Sequence, residues 1–83
     1  MFYVYILKSA KNGKYYIGST KDLSGRLRAH NSGKVRSTKN LTPMDIVHFE
    51  DYSANIEARR REIEIKRKKS IRYIESLFKS AES

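Results

Sequence analysis

Four side chains near the start of the chain stand out for the chemistry that their types and spacing allow. Tyr5 sits in Val4-Tyr5-Ile6 and Tyr16 in Tyr16-Ile17-Gly18, and Arg26 and His30 follow. Phenols, a guanidinium and an imidazole suit work on a phosphodiester. Its hydrolysis needs an oriented water, a group to take the water's proton and positive charge at the phosphoryl oxygens. It also needs help for the leaving oxygen, usually from a divalent metal held by a carboxylate. Arginine meets the need for positive charge because its planar fork donates two parallel hydrogen bonds to phosphate oxygens. Either Tyr5 or Tyr16 can orient or deprotonate water, and the sequence leaves open which one does. An ordinary phenol titrates near ~10, so such a base needs a metal or Arg26 beside it.

The elements that must position these groups are legible in outline. Phe2 to Leu7 is rich in aromatic and β-branched residues and reads as a strand. Asn12-Gly13 is a strong hairpin signal, and Tyr15 to Ser19 is the returning strand. A two-residue loop there opposes Tyr5 to Thr20 and Ser9 to Tyr16. Tyr5, Leu7, Ser9, Tyr16, Gly18 and Thr20 then share one face, and Val4, Ile6, Tyr15, Ile17 and Ser19 share the other, taken as the core side. The two motif tyrosines flank a site about 13 Å long without touching. Gly18, with no side chain, leaves room for a ligand beside them.

Asp22 is placed to cap a helix over Leu23 to Asn31, which carries Leu23 and Leu27 inward and sets Arg26 and His30 one turn apart on one face. Residues 32–43 read as a polar, basic loop ended by Pro43, and Asp45 to Tyr52 as a third strand. Ser53 is expected to cap a second helix from about Ala54 to Lys68, in which Ile56 and Ile63, and Ala58 and Ile65, recur at seven residues. A last helix, about 70–80, carries Ile71, Ile74, Leu77 and Phe78 on one side and ends in a frayed Ser-Ala-Glu-Ser tail. The expected architecture is α+β: a small three-stranded antiparallel sheet flanked by helices in the order β-β-α-β-α-α. One domain over 1–83 is expected, with a motif-bearing core of about 2–70.

Composition narrows the partners. The chain has 83 residues, a formal net charge of +9 and no cysteine. Disulfide and thiolate-metal frameworks are therefore excluded, and the two histidines are too few for a structural zinc site. A balance this basic points to a polyanion. No run approaches ~18 apolar residues, so no membrane span is expected. The N-terminal Met1-Phe2-Tyr3-Val4 reads as a strand and not as a signal peptide, and a cytoplasmic protein is expected.

Taken together, Val4-Tyr5-Ile6, the run Tyr16-Ile17-Gly18-Ser19-Thr20-Lys21-Asp22-Leu23, and Arg26-Leu27-x-x-His30 resemble the GIY-YIG nuclease superfamily. The layout is most similar to its small stand-alone bacterial members. The resemblance implies a minimal nuclease domain using one divalent cation, magnesium or manganese, per site. It also implies a metal-binding glutamate on the helix after the third strand, and Glu62-Ile63-Glu64-Ile65-Lys66 matches that pattern, which makes Glu62 the expected ligand. Glu57 and Glu64 face elsewhere. Val4 stands where the family name has Gly, and Ser19 where some relatives have Lys. Several family nucleases have an Asn after the metal glutamate, whereas residues 67–83 contain none.

Each of these residues also has an ordinary structural use. Tyr3, Tyr15, Tyr52 and Tyr73 are read as packing residues, and His48 as structural. Glu57-Arg61, Glu62-Lys66 and Glu64-Lys68 are i,i+4 pairs that support a charged helix. The joint motif favours site roles for Tyr5, Tyr16, Arg26, His30 and Glu62. Gly18, Lys21, Lys34, Arg36, Lys39, Arg59, Arg60 and Lys66 are then expected along a nucleic-acid backbone. The expected function is a metal-dependent endonuclease hydrolysing DNA phosphodiester bonds, directed by DNA structure, in repair or processing. The alternative is a catalytically weak or inactive module that binds DNA or structured RNA. The missing Asn and the expected lack of an appended DNA-binding domain both favour that alternative.

Overall fold

The computed structural model describes residues 1–79. Strands β1 (Phe2–Ser9), β2 (Tyr15–Thr20) and β3 (Met44–Tyr52) form one antiparallel sheet in the order β2-β1-β3. Helix α1 (Leu23–Asn31) and a 3-10 helix (Arg36–Leu41) lie between β2 and β3 in the chain, and α2 (Asn55–Lys68) and α3 (Ile71–Ser76) follow β3. The expected α+β order β-β-α-β-α-α is therefore the observed one. The expected tail lies outside the described residues.

The hairpin departs from the expected register by two residues. Tyr5 opposes Gly18 and Leu7 opposes Tyr16. Ser9 N–H donates to the Lys14 carbonyl at 2.8 Å, and Gly13 N–H to the Ser9 carbonyl at 2.9 Å, so the connection is longer than two residues. A type I′ turn needs positive φ at both central residues. Only Gly13 has it, at 77°, while the Asn12 side chain instead accepts from Lys14 N–H at 3.0 Å. An even shift preserves the alternation of side chains. Tyr5, Leu7, Tyr16 and Gly18 still share a face, but Tyr5 and Tyr16 are now diagonal neighbours.

Both faces of the sheet are covered, where the sequence pattern suggested one. Val4 and Ile6 pack with Ala58, Ile65 and Ile74 beneath α2 and α3. On the other side Tyr5, Leu7 and Met44 are buried with Leu23, Leu27 and Leu41 beneath α1 and the 3-10 helix. Strand β1 is thus apolar at every position from Val4 to Leu7, as a central strand buried on two sides requires. The register with β3 shifts between Ile6 and Leu7, which lets Ile46 and Val47 serve opposite cores.

Local capping follows the sequence at two helices and not at the third. The Asp22 carboxylate accepts from Gly25 N–H, and the Ser70 hydroxyl from Tyr73 N–H, both at 3.1 Å. Helix α2 has Ala54 in the N-cap position and so no side-chain cap, and the Ser53 hydroxyl before it donates to Glu57 at 3.3 Å. In α2 the buried pair is Ala58 and Ile65, and Ile56 and Ile63 face outward. Ile71 likewise is exposed and not on the packed side of α3.

Arg61 does not pair with Glu57. Its guanidinium donates to both oxygens of Glu50 on β3, at 2.8 and 3.1 Å, and to the Tyr73 hydroxyl at 2.9 Å; Glu64 lies at 3.0 Å. This network fastens α2 to β3 and α3, and it fixes the rotation of the helix that carries Glu62.

Candidate active site

Tyr5 lies on the central strand, 1% exposed, with its side chain toward α1. Its phenol runs across the backbone of Gly18 on the edge strand β2. A Cβ added at Gly18 would stand 2.6 Å from the phenol carbon Cζ and 3.1 Å from Cε2. The space left by this glycine, expected to admit a ligand, is filled by Tyr5, and Gly18 itself is buried. The phenolic oxygen meets His30 Nε2 at 3.0 Å and accepts from Arg26 Nε at 3.4 Å. Tyr16 completes the cluster, its ring centroid 6.4 Å from that of Tyr5 and 4.9 Å from that of His30. The expected gap between the two tyrosines does not exist, because the two-residue shift in register closes it.

Accessibility divides the cluster into an inner and an outer layer. Tyr5 and His30 are buried, whereas Tyr16 and Arg26 are half-buried at the surface. Burial pushes the Tyr5 phenol up, with Arg26 opposing, and the net direction is upward. Burial first, and then the Arg26 charge, push the His30 imidazole down, so it is neutral near pH 7. The hydrogen bond to Tyr5 leads the causes that hold Arg26 firmly protonated, and Tyr16 contributes in the same direction. Arg26 uses Nε on Tyr5 and also bonds Tyr16, and its planar fork still carries N–H groups on the terminal nitrogens for an anion.

Glu62 reaches the same edge strand from the other face of the sheet. Its Oε1 accepts from the Ser19 hydroxyl and its Oε2 from Lys66 Nζ, both at 2.7 Å. Burial works to raise its pKa, but the Lys66 ammonium, the Ser19 hydroxyl and the Arg59 charge outweigh it and hold the carboxyl below its usual range. Neighbouring residues on a strand point to opposite faces. Gly18 and Ser19 therefore put the Tyr5 phenol and the Glu62 carboxylate on the two sides of one strand edge. The Glu62 charge is felt at Tyr5, where it adds to the upward push.

A divalent cation fits this donor set in one way. Among the described residues no three His, Cys, Asp or Glu side chains gather into a cage. Glu62 offers one ionised carboxylate whose side chain is 19% exposed. Magnesium commonly binds through one or two carboxylates, keeping its waters and adding substrate phosphates.

The remaining expected contacts lie on the surface. Lys21, Lys34, Arg36, Lys39, Arg59, Arg60 and Lys66 are all exposed. Lys34, Arg36 and Lys39 belong to the connection after α1, while Arg59, Arg60 and Lys66 belong to α2, on the opposite side of the sheet. Lys66 is engaged by Glu62, and Lys21 lies 5.5 Å from the centre of the Phe2 ring. Sequence reasoning missed Thr38, whose hydroxyl lies 2.7 Å from His30 Nδ1, and the role of Ser19. Nothing in a polar run marks Thr38 as the residue turned inward. Ser19 differs, since it already stood out as a departure within the motif.

The fold and this site define a GIY-YIG domain. The family model described as the GIY-YIG catalytic domain matches residues 1–73, and the chain belongs to that family. Its relatives are small. A UPF0213 protein of Staphylococcus haemolyticus is 43% identical over 65 residues, which span 77% of this chain and 78% of the relative. One from Streptococcus pneumoniae serotype 4 is 38% identical over 68 residues, spanning 81% of this chain and 68% of the relative. The solution NMR structure of a UPF0213 protein from Bacillus halodurans is similar at a TM-score of 0.57 and 37% identity, covering 93% of this chain and 82% of that one.

Proposed function

We propose that this protein is a metal-dependent endonuclease that hydrolyses DNA phosphodiester bonds, selects its targets by DNA structure and serves repair or processing of DNA. The reading rests on one observation. A single edge strand brings the Tyr16 phenol and Arg26 to one of its faces and the Ser19-held Glu62 to the other.

Arg26 receives the phosphoryl group, because its Nε is held by Tyr5 and its fork keeps further N–H groups on the terminal nitrogens for phosphate oxygens. Tyr16 is the phenol that solvent reaches; it orients the attacking water and, as the phenolate, takes the water's proton to become the neutral phenol. Arg26 beside it balances the charge that this creates. Tyr5 and His30 form the support behind Arg26. Glu62 would hold one magnesium or manganese ion, whose chemistry when bound is to neutralise charge on the phosphate and the leaving oxygen. The exposed Lys34, Arg36, Lys39, Arg59 and Arg60 hold the backbone without reading sequence.

One observation favours a second reading, an inactive module that binds DNA or structured RNA. Both oxygens of Glu62 already have partners, Ser19 and Lys66. Incubation of the purified protein with plasmid and branched DNA, with magnesium or manganese and with chelator, separates the two. Nicking that requires the metal supports the nuclease. Salt-sensitive binding with no nicking moves the conclusion to the second reading, and neither binding nor nicking overturns both.

A further inference from the structure

We infer that Thr38 is a positioning residue, which fixes the proton pattern of a buried hydrogen-bond chain Thr38–His30–Tyr5–Arg26 and thereby the way Arg26 presents its guanidinium. The pattern itself stands on geometry alone; its consequence for cleavage rests on the phosphodiester reading above.

Thr38 and His30 are fully buried and Tyr5 nearly so, although Arg36, Ser37, Lys39 and Asn40 around Thr38 in the 3-10 helix are exposed. The connection that carries the 3-10 helix is clamped at its base, and the helix is tied at its C-terminal end. The Asn31 side chain donates to the Met44 carbonyl at 3.0 Å and accepts from Met44 N–H at 2.6 Å, and the Ser9 hydroxyl donates to the Leu41 carbonyl at 2.6 Å. These ties hold the Thr38 oxygen 2.7 Å from His30 Nδ1.

A neutral imidazole carries one N–H, so the chain can run in only two directions. In one direction Thr38 donates to Nδ1, and Nε2–H donates to the Tyr5 oxygen. That oxygen would then receive hydrogens from both His30 and Arg26 Nε, and its own proton would find no acceptor among the described residues. In the other direction the Thr38 hydroxyl donates to the Val35 carbonyl at 3.4 Å and accepts Nδ1–H. Nε2 then accepts the Tyr5 proton, and the phenolic oxygen turns a lone pair to Arg26. Every proton in this second pattern has an acceptor, as burial demands. The threonine thus selects the Nδ1–H form of His30, and the direction propagates to Arg26.

A threonine that only filled space would be replaceable by valine, which has its shape without its oxygen. The test reads the ring nitrogens of His30 by long-range proton–nitrogen NMR, at a pH where the ring is neutral, in the wild type, Thr38→Ser and Thr38→Val. The expected result is Nδ1–H in the wild type and in Thr38→Ser, with Nε2–H gaining population in Thr38→Val. Cleavage by Thr38→Val should fall by about 10- to 100-fold, as for other groups that orient a site side chain, and Thr38→Ser should retain most of it. Nε2–H in the wild type, or an unchanged His30 in folded Thr38→Val, overturns the inference. If Thr38→Val does not fold, the wild type and Thr38→Ser spectra still decide. A wild type that never cleaves counts against the nuclease reading alone, since the nitrogen spectra are read without substrate.

Discussion

Gly18 shows how one absent side chain organises the site. The Tyr5 phenol lies where any Cβ at position 18 would stand, so the glycine is required by Tyr5 and not by a ligand. Gly18→Ala forces the buried phenol aside and should cost roughly 1–3 kcal/mol, the range for overpacking a core, readable by urea denaturation. Because Tyr5 holds Arg26 Nε, the same variant should lose cleavage beyond its loss of stability. Arg26→Lys keeps the charge but lacks the fork that serves Tyr5 and a phosphate together. Its cleavage rate should drop by on the order of 100-fold or more at near-normal stability, as for a lost donor to developing charge. The gathering of Tyr5, Tyr16, Arg26 and His30 was legible in their types and spacing. The inner layer was not, since nothing in the sequence says that His30 is sealed from solvent or that Thr38 completes it.

At the scale of elements, the Arg61–Glu50 pair sets where Glu62 points. The Glu50 carboxyl is partly buried, which works to raise its pKa. Hydrogen bonds from Arg61, His48 and Tyr52 prevail and hold it at about 2, against an ordinary value of 4.5. A folded-state pKa below the unfolded one stabilises the protein above the unfolded value. That contribution is lost as pH falls from about 4.5 toward 2. The depressed His30 has the same sign and begins at a higher pH, below its ordinary 6.5. Stability measured by denaturant should therefore decline in two stages on acidification. Glu50→Gln should lower it by roughly 2 kcal/mol at neutral pH, between the values for exposed and buried pairs, and flatten the lower stage. The elements themselves were legible from periodicity and caps, and α1 falls where Asp22 and Leu23 to Asn31 put it. The hairpin register was not, because Asn12-Gly13 carries a turn signal for more than one loop length, and the longer one is held by the packing of Tyr5 over Gly18 and by the Ser9 hydroxyl accepting from Lys11 and Asn12 N–H. The burial of both sheet faces was foreshadowed by the unbroken apolar run of β1, which a reading by strict alternation passes over.

For the whole molecule the net charge of +9 matters more than any single contact. The exposed basic residues lie on both sides of the sheet, and under the proposed function nucleic acid would lie at the strand edge between them. DNA binding should weaken linearly in log–log form with salt, each neutralised phosphate contributing a slope of about 0.9. Replacing Arg59 and Arg60 with Gln should lower that slope by up to about 2 while leaving the fold intact, measured by fluorescence anisotropy across a salt series. No helix of the described residues is long and apolar enough to cross a membrane. The measurement that bears most directly on the central claim compares wild type with Glu62→Gln on branched and plasmid DNA in magnesium, with binding followed in parallel. The wild type should nick in a way that chelator abolishes, and Glu62→Gln should bind without nicking. Nicking by Glu62→Gln at the wild-type rate would contradict that claim.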